Sequence, residues 1–354
     1  SNRLSLWSDA PKNLYVDLTP YNARDKVSGS VYFPITWQQS NVKVKGKTRL
    51  YALPFETDIR VMFYNRAALV DAGYKPDAAP KTWAQLASMA DKLDKKTGSR
   101  YSRITAWPFD LGLDQLVWLN NGDWQNSKQF PTANSAANVG AADWAKFYVD
   151  RYGGQTGYNF VKTSITNNNL DLFGSGLQVF HLDQPTYQDF TLVQYGAKFV
   201  PSTPKYSNLF PYWGVTYLPV AHSGVKPWSF SGGFSVSAPR NKHRSSATTA
   251  AAWEFIKFMS LVGQLTFERY AGNIPTVVKM AHDPSLTTKQ HWSQFIAALK
   301  YEHKLTQNKW DTQYPADVVQ TAQNHITDGS QTAKQAMDAM QQQALTNMKR
   351  TGGP

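Results

Sequence analysis

The residues of this 354-residue chain that could do chemistry are aromatic rings set beside planar polar groups in short loops. Trp228 stands just before Gly232 and Gly233, and paired glycines let backbone N–H groups come close to a bound molecule. Asp58 and Arg60 share the stretch FETDIRVMFYN, Trp107 and Asp110 share AWPFD, and Asp183 and Tyr187 follow the strand-like LQVFHL. Trp310 and Tyr314 lie in a loop bounded by Pro315. Ring faces cover flat C–H surface, while carboxylates and guanidinium groups fix hydroxyls in a plane. Such groups together can hold a ligand without making a bond to it.

Bond-making chemistry has no comparable basis. Gly46, Lys47 and Thr48 imitate the end of a phosphate-binding loop, but position 41 is Asn where that loop must begin with Gly. There is no G-x-G-x-x-G, no G-x-S-x-G and no H-E-x-x-H, and the seven His form no helical ligand pair. The absence of cysteine removes disulfides, thiolate catalysis and Cys-based zinc sites together, and is compatible with an oxidising compartment. The expectation is a protein with no catalytic residues, no metal and no cofactor.

The formal net charge of +12 raises the question of nucleic acid. The basic residues are scattered, however, with local groups such as Lys43, Lys45, Lys47 and Arg49, or Lys92, Lys95 and Lys96, at the spacing of solvated strand or helix faces. No nucleic-acid partner is expected, and an acidic cell-surface environment accounts for the charge more simply. A hydrophobic content of 42%, with 12 Trp, 18 Tyr and 18 Phe, is ample for the cores of two domains. No apolar run reaches the roughly 18 residues that a membrane helix needs. Membrane contact is expected only through a lipid anchor outside these residues.

The elements that must position these side chains alternate between strand and helix. Arg49 to Asn65 reads as strand, crossing and strand around Pro54. Thr82 is an N-cap for a helix that begins at Trp83 and ends near Gly98. Further helices are expected at 136–152 and 246–261, strands at 178–182, 214–218 and 233–238, and one or two surface helices at 321–348. The fold class is therefore α/β with helices in more than one layer. Trp118 and His181 are expected to be buried.

Four stretches in order resemble the extracellular solute-binding proteins of carbohydrate ABC importers, the family that includes the maltodextrin-binding proteins. They are KGKTRLYALPFETDIRVMFYNRAAL with the following PKTW, LDLFGSGLQVFHLDQPTY, the run from Trp213 to Phe258 (YWGVTYLPV, WSFSGGFSVSAPRN, AAAWEFIKFM), and GNIPTVVKMAHDP. The resemblance implies a two-lobed periplasmic-binding-protein-like fold with discontinuous lobes and a ligand cleft at the hinge. The first lobe would comprise residues 1–105 plus 232–282 and the second 106–231 plus 283–354, with crossings near Trp107, Ser231 and His282. Family members open with strands and helices that have no counterpart before LSLWSDAPKNLYVDLTPY, so the first lobe is expected to lack its initial strands and to leave a gap beside Val61–Tyr64.

The resemblance also implies a ligand-binding set: Asp58, Arg60, Trp107, Asp110, Asp183, Tyr187, Trp228, Gly232, Gly233, Trp310 and Tyr314. The implied function is a monomeric substrate-binding subunit, periplasmic or on the outer face of the membrane. It would capture a di- or oligosaccharide by lobe closure and deliver it to permease subunits. A binding protein for a phosphorylated polyol such as a glycerophosphodiester is the alternative within that mode. A carbohydrate-active enzyme, with two carboxylates across a cleft, is the alternative of another class.

Overall fold

The computed structural model describes residues 3–110, 112–197, 199, 212–303, 308, 310, 311 and 314–353. Its strands in chain order are β1 (Asn41–Val44), β2 (Lys47–Leu50), β3 (Ala52–Pro54), β4 (Glu56–Thr57), β5 (Val61–Asn65), β6 (Lys95–Thr97), β7 (Arg100–Ala106), β8 (Gln178–Asp183), β9 (Trp213–Thr216), β10 (Ser235–Ser237) and β11 (Ile274–Pro275). The chain divides into two compact units, one built from Ser1–Ile59 and Ser231–Ile296, the other from Arg60–Phe230, Ala297–His303 and Asn308–Pro354.

The first unit carries three antiparallel strand pairs, β1 with β2, β3 with β10, and β4 with β11. Its core gathers Leu18, Leu50, Leu53 and Ala238 against Trp253 and Ile256 of the helix Ser246–Phe258. A second cluster joins Leu6, Ala10, Val42, Tyr51 and Ala52.

The second unit is built on a five-stranded sheet in the order β6-β7-β8-β5-β9. β5 is buried along its whole length and antiparallel to both neighbours, with Phe63 opposite His181 on one side and Val215 on the other. β7 lies parallel to β8. Asn65 ends β5 and caps the next helix, Arg66–Asp71, by accepting from the Ala68 N–H at 2.9 Å. Thr82 caps Trp83–Leu93 in the same way. Gly214 cannot carry a side chain: a Cβ there would meet the Tyr64 ring at 2.0 Å.

These pairings correct the expected lobe boundaries. Residues 61–106 supply β5, β6 and β7 to the same sheet as β8 and β9, so the division falls at Ile59/Arg60 rather than near Trp107. The last division falls at Ile296/Ala297 rather than near His282. The strand expected to stand beside a gap is instead the penultimate strand of a five-stranded sheet, hydrogen-bonded on both edges. Most helices follow the sequence closely, with Ala136–Arg151, Ala316–Thr327 and Ala333–Arg350 each formed. Ser246–Phe258 continues as a π-helical turn, Met259–Gly263.

Candidate functional site

In the second unit β8 aims His181 into a group of three carboxylates. Its Nδ1 lies 3.0 Å from Asp110 Oδ2, and its Nε2 lies 3.3 Å from Asp183 Oδ2 and 3.5 Å from Asp171 Oδ2. The Gln178 side-chain amide donates to Asp110 at 2.6 Å, and the Tyr187 hydroxyl donates to both Asp171 oxygens at 2.7 and 2.9 Å. His181 and Asp110 are nearly buried, whereas the side chains of Asp171 and Asp183 keep 40% and 34% exposure. Burial alone would lower the pKa of His181, but the charges of Asp110, Asp183 and Asp171 outweigh it and hold it well above the ordinary value. Burial also lifts Asp110 above the usual carboxylate range, with His181 and Gln178 pulling the other way. An imidazolium among carboxylates is the state that all three acids favour together.

The rings around this group are packed rather than free. Tyr187 is 6% exposed and meets Phe63 edge-on at 5.2 Å, with its own ring 4.7 Å from that of His181. Trp107 is 5% exposed and stacked on Tyr158 at 4.3 Å. Trp107 and Asp110, and the distant pair Asp183 and Tyr187, thus belong to one neighbourhood. Asp171, His181 and Tyr158 complete it and were not nominated. His181 and Asp183 share one face of β8 at the two-residue spacing of a strand, which was a usable signal for His181.

A second neighbourhood of the same unit surrounds Arg60 and Trp228. Gln115 clasps residues 228–230, its amide donating to the Trp228 carbonyl and its oxygen accepting from the Phe230 N–H, both at 2.7 Å. The Arg60 guanidinium lies over the Phe230 ring at 5.1 Å. Trp228 is half-buried and meets His303 edge-on at 5.5 Å, while Trp118, in the core as expected, stacks flat on the same imidazole at 4.4 Å. Asp114 is pushed up to about 6, by burial first, with the Gln115 N–H and Arg60 partly opposing it.

Trp310 and Tyr314 take different places. Trp310 is half-buried and meets Phe130 edge-on at 5.1 Å, whereas Tyr314 is 7% exposed and its hydroxyl donates to the Trp124 carbonyl at 2.6 Å. Tyr314 therefore serves as an internal brace. Tyr314→Phe is expected to lower stability by about 1–2 kcal/mol, since it removes a buried hydrogen bond, and to leave ligand affinity unchanged; paired urea and ligand titrations check both halves.

In the first unit Asp58 is 4% exposed and accepts from the Gly232 N–H at 2.6 Å, so one of its oxygens holds the neighbouring backbone. Gly233 follows with φ +99°, a conformation that only glycine adopts easily. Among the described residues no group of three or more His, Cys, Asp or Glu is arranged to hold a metal ion, and no helix is long and apolar enough to cross a membrane.

Known proteins share parts of this chain. A segment of 67 residues, 19% of the chain, is 34% identical to the sn-glycerol-3-phosphate-binding periplasmic protein of Shigella dysenteriae, of which it spans 15%. The mannotriose-bound protein CpMnBP1 superposes with a TM-score of 0.79 at 20% identity, over 97% of this chain and 84% of that one. The glycerophosphocholine complex of the Mycobacterium tuberculosis protein UgpB superposes with a TM-score of 0.75 at 16% identity, over 99% of this chain and 82% of that one. At such identities the likeness shows a common fold, the mixed α/β fold of two-lobed binding proteins. Residues 1–264 match the family of bacterial extracellular solute-binding proteins, whose members bind solutes rather than transform them, and the chain belongs to that family.

Proposed function

We propose that the chain is the substrate-binding subunit of an ABC importer and captures an uncharged di- or oligosaccharide, which it delivers to permease subunits from the periplasm or the outer face of the cell membrane. The observation that carries the sugar reading is the His181 neighbourhood. Three carboxylates converge there, two of them partly exposed, and among the described residues none is paired with Lys or Arg. Carboxylates accept hydrogen bonds from sugar hydroxyls and repel phosphate. Half-buried Trp228, with Arg60 and Phe230 nearby, supplies the apolar face that a pyranose ring needs.

The other reading, a phosphorylated polyol, draws on Arg60 and on the glycerol-phosphate-binding relative. A calorimetric and melting screen separates the two. Neutral oligosaccharides are expected to bind, and one supplied at a hundred times its dissociation constant adds about 2.7 kcal/mol to stability. Binding of glycerophosphodiesters that is lost on Arg60→Gln, with no response to any neutral sugar, would reverse the assignment.

A further inference from the structure

The first unit holds a cavity of about 520 Å³ that the sugar reading does not use. Four cationic side chains line it: Lys45 from the β1–β2 turn, Arg49 from β2, and Arg240 and Arg244 from the loop before the helix Ser246–Phe258. One carboxylate, Asp17, lines it too, and is paired with Arg49. Arg240 donates to the side-chain oxygen of Asn13, and Arg244 donates to the Pro239 carbonyl at 3.1 Å, so each is anchored by a neutral acceptor. Among the described residues Lys45, Arg240 and Arg244 have no carboxylate partner.

The 13-residue helix adds to the imbalance. Ser245 caps it, and Thr249 of its first turn lines the cavity, which therefore meets the positive end of the helix dipole. Tyr15, Val16 and Val44 supply apolar wall.

We propose that this cavity is an anion site for the phosphate group of an organic phosphate. Planar guanidinium forks and helix N-termini match phosphate oxygens. A water occupies only about 30 Å³ in the liquid, so a cavity of about 520 Å³ has room for a phosphate together with a polyol body. Two sources offer that chemistry, a soluble phosphate ester and the headgroup of an anionic lipid. The site is separate from the residues of the sugar reading, and the two stand or fall independently.

The test uses the 354-residue chain, Arg240→Gln combined with Arg244→Gln, and Lys45→Gln alone. Calorimetry with glycerol 3-phosphate at low salt examines the soluble source. Flotation with vesicles of phosphatidylcholine containing roughly one-third phosphatidylglycerol examines the lipid source. Binding of either probe is expected, at least tenfold weaker in the double variant and weaker at about 0.5 M salt, with the melting temperature and the response to neutral sugars unchanged. If the double variant does not fold, Lys45→Gln carries the same expectation with a severalfold loss. Retained binding in the folded variants, competition of glycerol 3-phosphate by a neutral sugar, or no binding of either probe up to about 10 mM overturns the proposal.

Discussion

Glu268→Gln is expected to stabilise the protein by roughly 2–4 kcal/mol near pH 8 and by almost nothing near pH 4. Glu268 lies on the helix Gln264–Ala271 with no exposed surface, and neither carboxyl oxygen has a hydrogen-bond partner of good geometry. Glu56, on the strand β4 that pairs with β11, is itself 6% exposed and stands close enough to act on it. Burial first, and then the neighbouring Glu56 carboxyl, push Glu268 up to about 10 from 4.5, offset in part by the Asn273 N–H and then by Lys289. A folded-state pKa above the unfolded value means that the folded state holds a proton that the unfolded chain releases. The stability associated with it is complete below about pH 4.5 and declines as pH rises towards 10. Glutamine has the shape of the neutral acid and no proton to lose, so it removes the slope. Urea melts of both proteins from acid to alkaline pH read this directly, and parallel stability curves would sink it.

How much could be read beforehand depended on whether the determining contacts were local. Thr82 announced a helix start because an N-cap is settled within three residues. The helix Ala136–Arg151 was legible from side chains recurring at helical spacing, which is also a local signal. The place where the chain passes from one unit to the other was not. It depends on β5 pairing with β8 and β9, strands more than a hundred residues further on, and no local pattern in VMFYN says which partners it will find. The candidate residues divide similarly. Asp110, Asp183, Tyr187 and Trp107 could be picked as loop aromatics and acids, but their gathering around His181 follows from β7 lying parallel to β8. Tyr314 has the composition of a stacking residue, and the Trp124 carbonyl that takes its hydroxyl lies far away in sequence. The basic group on β1 and β2 was legible as charge, but not as a cavity wall, because Arg240 and Arg244 come from the far side of the chain.

His181→Gln should cost about 3–5 kcal/mol near neutral pH, with a bell-shaped dependence on pH, because it strands Asp110 as a buried charge without its counterion. The partners that face the imidazole are Asp110, Asp171 and Asp183, with Gln178 and Tyr187 completing their hydrogen bonds. Because the folded pKa of His181 is raised, the stability it contributes is fully present below the unfolded value of about 6.5 and is lost as pH climbs through the raised value. On the acid side Asp110 takes up a proton readily, because burial already favours its neutral form. Wild type and variant should therefore differ most between these limits and converge at both ends. Asp110→Asn in the His181→Gln background should recover part of the loss, since it removes the stranded charge and the effects of two residues in contact are not additive. A difference in stability that stays flat from pH 4 to pH 9, as measured by denaturant unfolding, would mean that His181 acts there by shape rather than by charge.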